Sequence, residues 1–319
     1  MRSPRKRLMG VVAGLAAAML VMAGCGDGGG PAEGEQQKTL SIGMFPVVDA
    51  TPGQAAKIKG IFEKNGLDVT IKDTTGGVQA ISSVAAGEFD IAFSNYVSII
   101  LAADQGLPLQ IASGNNTGNR DHTVMAKADS PIKSPRDLEG KKVAVSHLRN
   151  IGVLAISNAV AEDGGDPKKV TYVEMPFPDM QAALERGDVD AIWVVEPFMA
   201  AGKEAGHQVV VENFSGAFEG IPVSGWVTTK EFAERNPDTI EAFMKSIDEA
   251  SEIINEDEEA RIEAVEAFTR VDAKTLESMV LPKWTGEVDK DGLNTLAEAM
   301  VKYEFLEKDF NVDDILPNG

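Results

Sequence analysis

The stretch GGVQAISSVAAGEFDIAFSN, residues 76–95, decides the fold. Gly76-Gly77 opens a short helix whose apolar positions Val78, Ile81 and Val84 fall at helical spacing. Phe89 to Phe93 is a strand, and the polar Ser94-Asn95 stands where that strand ends and a further helix, Asn95 to Asp104, begins. The same pattern extends to either side. Leu40, Ile42 and Met44 alternate as a strand should, Pro52-Gly53 opens a helix with Ala55, Ile58, Ile61 and Phe62 on one face, and Asn65-Gly66 closes it. Leu67 to Ile71 and Leu107 to Ala112 are further strands. Strands alternating with helices of this length give an α/β fold with a mainly parallel sheet covered on both faces.

The pattern restarts after Ser130. Lys141 to Ser146, Val170 to Glu174, Val189 to Val195 and Gln208 to Val211 read as strands, with helical segments Asn150 to Glu162, Met180 to Arg186 and Glu196 to Glu204 among them. A second α/β unit is therefore expected, joined to the first by extended segments near His122–Lys127 and Val223–Thr228. The expected division is lobe 1 over 38–121, lobe 2 with hinge strands over 122–227, and a return to lobe 1 with C-terminal helices over 228–319. Residues 231–270 carry 13 acidic and four basic side chains, read as the solvated faces of amphipathic helices. Ligands of open α/β sheets sit at the carboxyl ends of the strands, where helix N-termini point inward. Two such edges facing each other make a cleft.

The first 24 residues read as a signal. Arg2, Arg5, Lys6 and Arg7 precede an apolar run from Leu8 to Ala23, and small residues lead into Cys25. The ending resembles a bacterial lipoprotein signal, with Met22 where leucine is usual, and implies lipid on Cys25. Residues 25–37 are Gly- and Glu-rich and read as a flexible tether. Cys25 is the sole cysteine, so a disulfide, a thiol nucleophile and a cysteine metal site are excluded from the mature chain. The whole chain has 30 basic and 50 acidic groups. Loss of residues 1–24 removes four basic groups and no acid, leaving a net charge near −24. Such a surface repels nucleic acid, which is dropped as a partner.

Five segments carry a family resemblance: IGMFPVVDATP (42–52), GIFEKNGLDVTI (60–71), residues 76–95, SPRDLEGKKVAVS (134–146) and ALERGDVDAIWVVEPF (183–198). In this order and spacing the chain resembles the nitrate/sulfonate/taurine-type substrate-binding proteins of ABC importers, a group that also holds binders of thiamine-pyrimidine precursors. The resemblance implies a type II periplasmic-binding-protein fold, with two α/β lobes joined by a two-strand hinge and a ligand cleft between them. It implies a small-molecule ligand, a membrane permease and a separate ATPase subunit as partners, no cofactor and no catalysis. A monomer is the default for such a receptor. Iron-dependent pyrimidine synthases of the group carry a cysteine-rich motif that this chain lacks. A ligand sensor on the cell surface is the other alternative.

The resemblance also implies that strand-to-helix turns line the cleft. Candidate contacts are Phe45, Asp49, Gly76, Gly77, Ser94, Asn95, Tyr96, Ser146, Arg149, Asn150, Glu196 and Ser224. Gly76-Gly77 is either an ordinary turn or a set of exposed amides for an anion or polar edge. Ser94-Asn95 caps a helix, touches ligand, or does both. Glu196 either sits favourably at a helix N-terminus or faces the cleft. Glu196 with Asp49 suits a cationic or nitrogen-rich ligand, whereas Arg149 suits an anion, and the sequence does not choose. Trp193, Tyr96, Phe45 and Trp226 are candidates to stack on a flat ligand, with mid-strand Trp193 weighted toward the core. His122, His147 and His207 lack metal-ligand spacing, so no metal is expected.

Overall fold

The computed structural model of the 319-residue chain describes residues 38–317 apart from 270 and 272. The expected signal, Cys25 and the tether lie outside the described residues. In chain order the strands are β1 (Lys38–Met44), β2 (Leu67–Asp73), β3 (Ile91–Asn95), β4 (Leu109–Thr117), β5 (His122–Ala126), β6 (Lys142–Val145), β7 (Thr171–Glu174), β8 (Ala191–Val195), β9 (Gln208–Glu212), β10 (Pro222–Thr229) and β11 (Lys283–Trp284). The helices are α1 (Thr51–Ile58), α2 (Ile61–Lys64), α3 (Gly77–Ala85), α4 (Tyr96–Asp104), α5 (Ile151–Glu162), α6 (Phe177–Arg186), α7 (Phe198–Glu204), α8 (Lys230–Arg235), α9 (Pro237–Glu256), α10 (Glu258–Thr269), α11 (Ala273–Leu276) and α12 (Lys290–Lys302).

Two sheets organise the chain. The first runs β11-β4-β10-β3-β1-β2 and the second β7-β6-β8-β5-β9. β1 is parallel to β2 and β3, and β6 is parallel to β7 and β8. In each sheet a strand delivered by a crossover lies antiparallel between two others: β10 between β3 and β4, β5 between β8 and β9. The chain thus returns to the first sheet at Pro222, where β10 begins its ladder with β4.

The crossovers, residues 118–121 and 213–221, are bonded to each other. Gly118 N donates to Ile221 O at 3.0 Å and Gly220 N to Gly118 O at 3.3 Å, while Asn213 N donates to the carbonyl of His122, the first residue of β5, at 3.0 Å. Phe214 fills the space beside Gly118, where a Cβ would meet its ring at 2.3 Å. A side chain at 118 would therefore push the two connections apart.

Cross-strand register explains the core of the first lobe. Trp226 lies opposite Phe93, their rings 5.6 Å apart, and Phe243 of α9 packs edge-on against Trp226 at 5.4 Å. All three are buried, and burying each such side chain contributes about 1.5–3 kcal/mol. Helix α9 starts with Pro237 at its first position and buries Ile240, Phe243, Ile247 and Ile254. Its acids Glu241, Asp248 and Glu252 face solvent, as the amphipathic pattern predicts. No helix among the described residues is long and apolar enough to cross a membrane.

Candidate ligand cleft

A cavity of ≈ 520 Å³ opens between the two sheets at the carboxyl ends of their strands. The first lobe supplies the turn after β1 with Phe45 and Asp49, the turn after β2 with Gly76 and Gly77, and Asn95 at the end of β3. From the second lobe come Ser146 and Asn150 after β6, and Trp193 on β8. Ser224, at the start of β10, and His122, at the start of β5, sit where the crossovers meet the cavity. Strand ends and helix starts of both lobes therefore face one space.

Three helices begin at this cavity with different chemistry. Asn95 caps α4 by accepting from Ser98 N at 3.0 Å, and Asn150 caps α5 by accepting from Val153 N at 3.1 Å. Both side chains are engaged by their own helices and still line the cleft. Helix α3 starts at Gly76 with no side-chain cap, which leaves its first amides open. Gly77 allows close packing there, since a Cβ would come within 2.3 Å of Ser94 Oγ.

The cavity floor is a polar hub around Asp49. Its backbone carbonyl accepts from Asn115 Nδ2 at 2.8 Å and from Trp284 Nε1 at 3.1 Å, and its Oδ1 accepts from Asn116 Nδ2 at 2.8 Å. Ser224 Oγ in turn donates to Asn116 Oδ1. Oδ1 of Asp49 lies 3.6 Å from His122 Nε2, while Asp121 Oδ2 lies 3.1 Å from Nδ1 of the same ring. Burial raises the Asp49 pKa against the lowering effect of His122. For His122 burial opposes the charged form, but Asp121 and Asp49 beside it outweigh that, and its pKa is raised. The donor atoms of these three residues lie within 4.8 Å of one another, close enough to ask whether they hold a metal. The carboxylates address opposite ring nitrogens, however, which is the arrangement of an imidazolium between two anions.

Four sequence-predicted residues stand outside the cavity lining. Ser94 is fully buried beneath Gly77, its hydroxyl without a hydrogen-bond partner among the described residues. Tyr96, one residue beyond the lining Asn95, turns into the core against Gly225, and burial pushes its phenol pKa up. Arg149 is exposed and donates to the Phe305 carbonyl. Glu196 is buried; its Oε2 accepts from Ala200 N at 2.9 Å and its Oε1 from Val280 N at 3.1 Å. Burial raises its pKa to about 7 against those two amides.

The lining also contains residues that sequence reasoning missed or discounted. Glu174 ends β7 and Phe177 opens α6, and Trp193, weighted toward the core, is both buried and among the lining residues. The signal for the β7 turn was present: a strand ending at Glu174 is followed by Met175-Pro176-Phe177-Pro178, the strand-to-helix grammar seen elsewhere in the chain.

The family described as NMT1/THI5 like matches residues 48–260. The chain belongs to this family. Among the relatives of this NMT1/THI5-like protein, the taurine-binding periplasmic protein of Escherichia coli (strain K12) is 26% identical over 219 residues, 68% of this chain and 67% of the relative. The 4-amino-5-hydroxymethyl-2-methylpyrimidine phosphate synthase THI13 of Saccharomyces cerevisiae is 21% identical over 237 residues, 68% of this chain and 66% of the relative. The alkanesulfonate-binding protein SsuA from Xanthomonas axonopodis pv. citri, solved bound to MOPS, superposes with a TM-score of 0.78 at 15% identity, covering 89% of this chain and 99% of that one. The family chain thus has the two-lobed fold of a periplasmic binding protein.

Proposed function

We propose that this NMT1/THI5-like protein is the extracytoplasmic solute-binding component of an ABC importer. It closes on a small organic molecule in the interlobe cleft and hands it to a membrane permease driven by a separate ATPase. One observation carries the reading: the ≈ 520 Å³ cavity is built from strand ends and helix starts of both lobes, and those lobes are joined by two short bonded crossovers. A ligand touching both lobes stabilises the closed arrangement by its differential contacts. The relatives named as binding proteins support the same reading. Lipid on Cys25 tethers the receptor to the outer face of the membrane, and residues 25–37 give it reach. The receptor acts as a monomer.

The synthase among the relatives makes catalysis the competing class. In this chain the lining offers no cysteine, and its one histidine flanked by acids, His122, is held from both sides by carboxylates. The test is direct. Protein purified from its host is denatured and the released small molecules are identified by mass spectrometry, then returned to refolded protein. A solute recovered chemically unchanged, and rebinding at one per chain, supports the receptor. Conversion of the solute, or failure of any released compound to rebind, sinks it.

A further inference from the structure

We propose that the solute is an organic cation: a protonated or quaternary nitrogen carried on an apolar or aromatic body. This inference rests on the receptor reading and names its ligand class. Among the described residues lining the cavity there is no lysine and no arginine. The charged side chains there are the carboxylates of Asp49 and Glu174, with His122 and His147 as the imidazoles. Arg149, next to the cleft in sequence, is not among the lining residues and donates to the Phe305 carbonyl. The His122 ring sits between Asp49 and Asp121, one imidazole facing two carboxyl groups.

The walls fit the same chemistry. Phe45 and Phe93 form a tilted pair at 5.4 Å on the first lobe. Phe177 faces Trp193 at 5.5 Å and stacks on Phe198 at 5.4 Å on the second. All five residues belong to the cavity lining, Phe93 and Trp193 almost wholly buried there. Ring faces attract cations, and ammonium groups caged by aromatic rings are bound this way. A bare anion would meet those same faces and two carboxyl groups with no lysine or arginine to compensate. The open amides of α3 and the indole Nε1 of Trp193, buried and without a hydrogen-bond partner among the described residues, supply donors. They accommodate an acceptor atom elsewhere on the solute but carry no full charge. The surplus of acidic over basic groups, −20 over the whole chain, favours the approach of cations as well.

Matched probes test this. Benzyltrimethylammonium and benzamidinium are titrated calorimetrically into the purified protein against phenylmethanesulfonate and benzoate, which keep the ring and reverse the charge. The cations are expected to bind on the order of tenfold tighter or more than the anions. Glu174→Gln, an exposed position on the rim, is expected to narrow that ratio several-fold. Asp49→Asn is expected to narrow it further, but it also disturbs the floor, so Glu174→Gln is the cleaner variant. Tighter binding of the anions overturns the cation assignment and leaves the receptor reading intact. Silence with both sets also overturns the assignment, while the receptor reading stands or falls separately on the released solute. An anionic released solute overturns the assignment by itself.

Discussion

His122 Nε2 lies 3.6 Å from Asp49 Oδ1 at the floor of the cleft, which ties the first strand-to-helix turn of one lobe to the first residue of the strand that opens the other. Both residues are buried, and Asp121 flanks the opposite ring nitrogen. Removing the imidazole that faces both Asp49 and Asp121 leaves two buried carboxyl groups without their shared partner. His122→Gln is therefore expected to cost about 3–5 kcal/mol of unfolding free energy. Adding Asp121→Asn should restore part of that loss. Denaturant unfolding of the two single variants and the double variant reads the coupling, and strictly additive losses would show that the three groups do not act together.

Glu196 ties stability to pH. Its carboxyl is raised to about 7 in the folded chain by burial, from an ordinary value of 4.5. The folded state therefore holds this proton more tightly than the unfolded state does. The group favours folding most at low pH, and that contribution falls as pH rises from about 4.5 to about 7, by at most about 3 kcal/mol. The raised His122 pKa acts in the same sense, its contribution lost as pH climbs past its folded value. Glu196→Gln should lower stability overall, because an amide nitrogen then faces a backbone N–H, and should flatten the slope of unfolding midpoint against pH over that window. An unchanged slope in the variant contradicts the assignment.

Trp226 anchors the first lobe between Phe93 and Phe243, with Gly53 directly beneath its ring. Trp226→Ala is expected to cost about 3–5 kcal/mol. Gly53→Ala places a methyl 2.6 Å from the indole and should cost about 1–3 kcal/mol through overpacking. Thermal unfolding of each variant checks the order, with the cavity worse than the added methyl.

The lipid proposed on Cys25 would set where the protein resides. Cys25→Ala is expected to move the protein from the membrane fraction to the soluble extracytoplasmic fraction of the host, and to remove the acyl mass from the N-terminal peptide. Retention of the variant in the membrane fraction would point to an anchor other than lipid on this residue.

Much of the fold is legible in the sequence because it is written in local period. Leu40, Ile42 and Met44 alternate, Asn65-Gly66 reverses the chain, and each strand ends in polar residues. The turns that line the cleft follow from that grammar, which brings Phe45, Asp49, Gly76, Gly77, Asn95, Ser146, Asn150 and Ser224 to one cavity. What the sequence withholds is direction at a helix start and partners far along the chain. Asn95 and Tyr96 are adjacent, yet the turn of the helix sends one toward the cavity and the other into the core. Arg149 is drawn off by a carbonyl 156 residues away, and Glu196 by an amide 84 residues away. No local pattern encodes either contact, and both decide the charge of the pocket.

The most direct test of the account is the binding stoichiometry of the released solute on the wild-type protein and on Thr75→Trp. Thr75 is an exposed residue of the cavity lining, so the indole fills the cleft with little disturbance of the core. One solute per chain on the wild type, abolished in a variant that unfolds at the same temperature, is the result the account requires. Undiminished binding by the filled variant would place the solute elsewhere and contradict the interlobe cleft as the binding site.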